Sequence, residues 1–377
     1  MTQGCYVHIP FCSHKCAYCD FNSYSGYGST IMERYIEALI LEIRSVRSLD
    51  LLPVDTVFFG GGTPTVLPAN READILRAVL ESAPVAVDAE ITTEANPGSS
   101  DIEGISILRE AGFNRISFGV QSFDNGLLRG LDRIHSADEA RQAVRSARSA
   151  GFDNISIDLM YGLPRQTLFQ WIETLECALE LDVDHLSMYS LIIEQGTGFA
   201  TLAAKGRLPL PEDDATADMF DHACNRAAAA GFAQYEIANF ARPGKACRHN
   251  LHYWRNDPYL GFGAGAVSYQ DNIRRTRVLA PARYAQTVVA SGDLTHESES
   301  PTLTQQMTET MMLGLRLTEI GVDCDKFAQR FGADPRIRWR KEIQRLSGLG
   351  LIEHRGSTIR LAPSAVFLAN EVMTAFV

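Results

Sequence analysis

No stretch of about 20 consecutive apolar residues occurs in the 377 residues, so no segment qualifies as a membrane-spanning helix. The opening MTQGCYVHIP has neither a charged leader nor an apolar core of about 7–15 residues, which argues against a secretory signal and for a cytoplasmic protein. Basic residues are in deficit: 35 Lys and Arg face 46 Asp and Glu, a net charge of −11. That balance speaks against broad nucleic-acid binding, whose affinity comes from cations neutralising phosphates. The phosphate-cradling patterns G-x-x-x-x-G-K-[ST] and G-x-G-x-x-G are missing too. With 45% hydrophobic and 21% charged residues, the composition has no collagenous or disordered bias. Disulfides are not expected of a chain with a reducing environment, so its eight cysteines read as thiols or metal ligands. Five of them (Cys5, Cys177, Cys224, Cys247 and Cys324) are scattered, as small buried hydrophobes are.

What is present is a rhythm. Six short apolar runs, at 5–11, 56–62, 90–97, 115–123, 154–164 and 185–194, alternate with stretches of helical spacing such as 31–46, 71–83, 137–151 and 169–181. Strand–helix alternation predicts a parallel sheet with right-handed crossovers. AGF recurs at 111–113, 150–152 and 230–232, each time where a helix would stop on a glycine cap before a strand. The expected fold class is α/β, a partial (βα)6 TIM-like barrel over 1–245. A segment at 246–300 would connect it to a smaller C-terminal α+β, winged-helix-like domain at 301–377, where helical spacing gives way to the hairpin EHRGSTIRLAP. In a barrel the chemistry sits at the carboxyl ends of the strands. Polar residues do finish these apolar runs: GGGTPT after the second, Glu94 and Asn96 in the third, Gln121 in the fourth and Asp158 in the fifth.

The sharpest motif is HIPFCSHKCAYCDF, in which Cys12, Cys16 and Cys19 follow C-x3-C-x2-C. Three thiolates can hold three irons of a 4Fe–4S cluster and leave the fourth open to a small molecule. The amino and carboxylate groups of S-adenosylmethionine would suit that position. The competing reading is zinc, with His8 or His14 as fourth ligand, although no second cysteine pair follows. Gly61 and Gly62 allow close backbone approach to a ligand, or simply make a tight turn. Arg133 could fork onto a carboxylate, while Glu94, Gln121 and Asp158 could take ribose hydroxyls or an ammonium. The alternative is an internal ion-pair network with Arg115 or Arg133. RHNLHYW at 248–254 offers imidazoles and flat aromatics suited to a haem, or else a packed aromatic cluster.

Together, C-x3-C-x2-C after a first strand, GGGTPT, GVQSFD and SIDLMYGLP resemble the radical S-adenosylmethionine superfamily. Within it, the resemblance is to the branch of oxygen-independent coproporphyrinogen III oxidases and HemW haem chaperones, and it runs from about Tyr6 to the C-terminus. It implies cluster ligation by Cys12, Cys16 and Cys19. It also implies an S-adenosylmethionine site at Tyr6, Gly61, Gly62, Thr63, Glu94, Gln121, Arg133 and Asp158. HNLHYW matches the H-N-x-x-Y-W motif assigned in HemW to haem binding, which carries that role to His249, Asn250, Tyr253 and Trp254, with His252 a rival ligand. The oxidases carry a further cysteine where this chain has Phe21, and a long segment before the cluster where this chain has eleven residues before Cys12. The reading favoured is therefore a haem chaperone on a radical S-adenosylmethionine scaffold. It would carry haem as cargo to an acceptor protein, such as a respiratory enzyme, and could form a homodimer. The alternative is the oxidase, which decarboxylates propionates of coproporphyrinogen III. A zinc-bearing DNA-binding module is the third reading. Its C-terminal 77 residues hold ten Lys and Arg against eight Asp and Glu, so no nucleic acid is expected.

Overall fold

A computed structural model describes residues 2–377. Contacts divide the chain into two units, 1–223 with 258–299 and 224–257 with 300–377.

The first unit is built on six parallel strands, β1 (Gln3–Ile9), β2 (Val54–Gly61), β3 (Val85–Ala95), β4 (Arg115–Gln121), β5 (Ile155–Tyr161) and β6 (His185–Ser190), each beside its successor. Between them run α1 (Ser29–Ser45), α2 (Ala69–Ser82), α3 (Ile102–Ala111), the short α4 (Asn125–Gly130), α5 (Ala137–Ser149) and α6 (Leu168–Glu180). This is the partial (βα)6 barrel the alternation predicts. Strands such as β1 are buried on both faces, as a parallel sheet covered by helices requires. Helix starts follow local chemistry. Capping boxes at Ser136/Glu139 and Thr167/Gln170 open α5 and α6, each worth about 1 kcal/mol. Gly112, at φ 117°, ends α3 in the left-handed region where a side chain would be strained. After β6 come α7 (Gly198–Ala204) and α8 (Asp213–Ala229), whose first turn carries Asp213 and Asp214.

The segment expected as a connector, 246–300, is divided between the units. Residues 258–299 extend the barrel sheet with β9 (Tyr259–Phe262), β10 (Val267–Gln270), β11 (Ile273–Arg277) and β12 (Thr295–Glu299), and add helix α10 (Pro281–Val289). β9 pairs parallel with β1, and β10 to β12 continue antiparallel. Gly261 permits this: a Cβ there would sit 2.0 Å from the Val267 carbonyl oxygen. The seam is tied by a buried carboxylate. Glu42 of α1 accepts from Arg277 Nε at 2.7 Å, from Tyr284 at 2.5 Å and from the Gly263 amide at 2.9 Å.

The second unit holds the hairpin β7 (Ala233–Glu236) and β8 (Asn239–Ala241), the short helix α9 (Arg248–Trp254) and the C-terminal module. That module comprises α11 (Leu303–Leu315), β13 (Val322–Asp323), α12 (Cys324–Phe331), α13 (Pro335–Arg338) and α14 (Arg340–Gly348), then the hairpin β14 (Ile352–Arg355) and β15 (Thr358–Leu361), and last α15 (Ala369–Thr374). Helices followed by a hairpin, with β13 added to β15, form the winged-helix-like arrangement read from the sequence. No helix among the described residues is long and apolar enough to cross a membrane.

Candidate functional site

Cys12, Cys16 and Cys19 lie on the loop that leaves β1, all free thiols and half-buried. The loop is closed by its own backbone, with Cys12 N donating to Tyr24 O at 2.9 Å and Tyr24 N to Pro10 O at 2.7 Å. Lys15 Nζ donates to Phe21 O and Ser23 O, both at 3.0 Å. Asn22 anchors the loop to the sheet extension through Ala264 O at 3.0 Å and Leu279 O at 3.1 Å. Neither histidine weighed as a zinc ligand joins the thiols. His8 Nε2 is 2.9 Å from Asn22 O, and its Nδ1 is 3.0 Å from Tyr6 Oη. A carbonyl only accepts, so Nε2 carries the hydrogen and the Tyr6 hydroxyl donates to Nδ1. Burial holds the His8 pKa below its usual value, which keeps this tautomer neutral. His14 Nε2 faces Asp132 Oδ2 at 2.7 Å.

The three cysteines face a cavity of about 390 Å³ at the carboxyl ends of the strands. Its wall also includes Gly61, Gly62, Thr63, Glu94, Gln121, Arg133 and Asp158, so with the cysteine loop residues from six separate stretches meet at one site. Tyr6 does not line that cavity; its hydroxyl is turned to His8 and its ring stacks on Phe58 with centroids 6.3 Å apart. The glycine turn is required by its neighbours. Gly61 has φ 111°, and a Cβ there would lie 2.4 Å from the His8 ring.

Arg133 organises the wall. Its Nη1 lies 3.5 Å from Cys16 Sγ, and its Nη2 donates to Asn96 Oδ1 at 2.6 Å and to the Gly119 carbonyl. Asn96 Nδ2 in turn donates to Thr63 Oγ1 at 2.8 Å, and Thr63 Oγ1 lies 3.8 Å from Cys12 Sγ. One guanidinium thus reaches two of the three thiols, one directly and one through an amide and a hydroxyl. Its Nε is buried without a partner among the described residues. Deeper in, desolvation pushes the Glu94 carboxyl up to about 8, with Asp158 adding to the shift while the Gly61 amide at 3.3 Å opposes it. Burial also raises Asp158, against hydrogen bonds from Ser187 and Ser117, the latter at 3.2 Å. Gln121 holds φ 68°, a strained value for a side-chain-bearing residue, and accepts from Tyr189 Oη at 2.9 Å. Asn96 and Tyr189 are wall residues that the sequence reading did not assign. Asn96 carried a signal, being the second polar residue at the end of one strand.

RHNLHYW forms α9 in the second unit. His249 is 1% exposed and His252 4%. His249 Nε2 lies 3.0 Å from Tyr253 Oη, and His252 Nδ1 lies 3.4 Å from Asp257 Oδ2. The Trp254 ring lies under the Arg316 guanidinium at 4.3 Å, and Arg316 is paired with the buried Glu236 at 3.3 Å. Asn250 is half-buried.

Comparison with known proteins places this geometry. The family model for the Radical SAM superfamily matches residues 6–178, and that for the HemN C-terminal domain matches 302–368. A Bacillus subtilis protein named "Heme chaperone HemW" is 39% identical over 99% of both chains. The chain belongs to the HemW family. The Escherichia coli HemW is 41% identical over 74% of this chain and 75% of its own. The solved coproporphyrinogen III oxidase HemN of Escherichia coli superposes with a TM-score of 0.85 at 24% identity, covering 100% of this chain and 90% of that one, which shows a shared fold. This HemW homologue is thus a radical SAM scaffold with a HemN-type C-terminal domain, and its superfamily implies a 4Fe–4S cluster and S-adenosylmethionine.

Proposed function

We propose that this chain is a haem chaperone. It binds haem at α9, through His249 with Asn250, Tyr253 and Trp254, and passes it to an acceptor haem protein such as a respiratory enzyme. The observation that carries the reading is end-to-end similarity to a protein named for that activity. A cluster on Cys12, Cys16 and Cys19, with S-adenosylmethionine in the cavity, would accompany the haem site.

The residues suit those groups. Three free thiols on one loop are the soft donor set an iron–sulfur cluster needs. Arg133 and Thr63 point hydrogen-bond donors at the Cys16 and Cys12 sulfurs, as thiolates would want. The buried, unpartnered Arg133 Nε leaves a cation in the wall with a donor to spare. Glu94, Gln121 and Asp158 supply acceptors for ammonium or hydroxyl groups. When bound, a cluster with one open iron can deliver an electron to S-adenosylmethionine. The chain's own contribution is to hold the sulfurs, neutralise their charge and keep the carboxyls desolvated.

The second reading is the oxidase, favoured by the shared HemN fold. Against it stands Phe21, 62% exposed at the cavity mouth where the oxidases have a further cysteine. Anaerobic reconstitution with iron and sulfide, followed by separate additions of S-adenosylmethionine, haem and coproporphyrinogen III, distinguishes the two. The chaperone reading expects tight haem binding and no vinyl porphyrin. Protoporphyrinogen formed over many turnovers would overturn it.

A further inference from the structure

His249 and Tyr253 stand one helical turn apart on α9, on the same face. Their rings meet edge to face, with centroids 5.0 Å apart and planes at 90°. The Tyr253 hydroxyl is 3.0 Å from Nε2, the imidazole nitrogen farther from the backbone. With the histidine only 1% exposed, water does not compete for that contact. A nitrogen that shares a hydrogen with a hydroxyl has no lone pair for iron, whichever of the two groups is the donor.

We propose that Tyr253 holds His249 in reserve: its hydroxyl occupies Nε2 in the haem-free protein, and haem iron binds that nitrogen only by displacing it. This rests on the reading of α9 as the haem site and adds its regulation. The Tyr253 hydroxyl, as distinct from its ring, then opposes haem ligation and favours release, because a partner for the buried imidazole waits wherever the iron departs. A chaperone must let go of its cargo, and a built-in competitor supplies the means.

Both ends of α9 are tied to the rest of their unit. The last turn is fastened: Arg316 covers Trp254 at 4.3 Å, and Arg330 donates to Arg255 O at 3.3 Å and Asn256 O at 2.8 Å. At the first turn, the amide of the N-cap residue Cys247 donates to Tyr235 Oη at 3.3 Å.

The test is a haem titration of the full chain followed in the Soret band, paired with the rate of haem loss to excess apomyoglobin. Tyr253→Phe keeps the ring and removes the hydroxyl. It is expected to tighten haem binding about tenfold, the scale of one hydrogen bond lost from a buried partner, and to slow release to match. Tyr253→Gln returns a hydrogen-bonding group and should bring affinity back toward the wild-type value, and melting curves confirm that each variant folds. In a His249→Ala background, which loses the histidine-ligated Soret signature, Tyr253→Phe should change nothing further. Weaker or unchanged binding by Tyr253→Phe, with His249→Ala still defective, overturns the reserve role and leaves the haem site standing. Unchanged affinity and spectrum in His249→Ala overturns the haem-site reading itself, and the reserve role falls with it.

Discussion

The cysteine loop and α9 each gather side chains suited to iron, yet they present them in opposite ways. On the loop, the thiols face a cavity, and the nearby histidines and lysine bond elsewhere: His8 to Asn22 and Tyr6, His14 to Asp132, Lys15 to backbone carbonyls. On α9, the imidazoles face protein, with His249 against Tyr253 and His252 near Asp257. One region is poised for a resident group, and its wall is built to receive negative sulfur. The other pairs His249 with Tyr253 and would exchange that bond for a ligand. The difference suits a permanent cofactor in the first case and a transient cargo in the second.

The largest effect should come from Cys16→Ala. Without the thiol that Arg133 approaches, iron analysis and visible absorbance after reconstitution should show the cluster essentially absent. The haem titration should be unchanged, because the cluster loop and α9 belong to different units. Loss of haem binding together with the iron would break the contrast, since it would make one region's function depend on the other. Arg133→Gln should do less. Glutamine cannot reach both Cys16 and Asn96, so S-adenosylmethionine affinity of the reconstituted protein should fall roughly 10- to 100-fold, the scale of charged hydrogen bonds. Iron content should stay near that of the wild type. If iron is lost along with affinity, the arginine is holding the cluster loop in shape.

Much of this was legible in the residues. The six strands and most helices follow from hydrophobic periodicity, and the strand-end rule assigns Glu94, Gln121 and Asp158 to one mouth. The cysteine spacing and the glycine turn were legible because each motif is contiguous in sequence, although Asn22 anchors the loop to residues more than 240 positions away. Register was less visible. Tyr189 meets Gln121 across 68 residues, and only the pairing of neighbouring strands brings them together. Tyr6 shares its strand face with His8 by simple alternation, and its hydroxyl is turned to the His8 ring. The four strands β9–β12 were missed because they are only four or five residues long, the first two set in a glycine-rich run with little alternation. The spacing of His249 and Tyr253 was readable as a helical pair, but not its burial.

The smallest expected effect separates a carboxyl poised for a ligand from one that only packs. Neighbouring positions on β3 point opposite ways: Glu94 to the cavity and Thr93 to Glu72 of α2, whose Oε1 accepts from the Thr93 hydroxyl at 2.5 Å. Burial pushes both carboxyls up to about 8 from an ordinary value of 4.5. Between those values the folded protein keeps protons that the unfolded chain has released, so stability from these groups is full below about pH 4.5 and is lost as pH rises through about 8. Glu72→Gln stays neutral throughout, so its melting temperature should fall less steeply between pH 5 and pH 8 than that of the wild type. S-adenosylmethionine affinity should not move. Glu94→Gln should flatten the same slope and also weaken S-adenosylmethionine binding, because its carboxyl faces the cavity. Melting curves across pH, set beside a binding titration for each variant, check both halves. Equal binding losses in the two variants would mean that Glu72 supports the wall through β3, and the line between the packing carboxyl and the poised one would have to be redrawn.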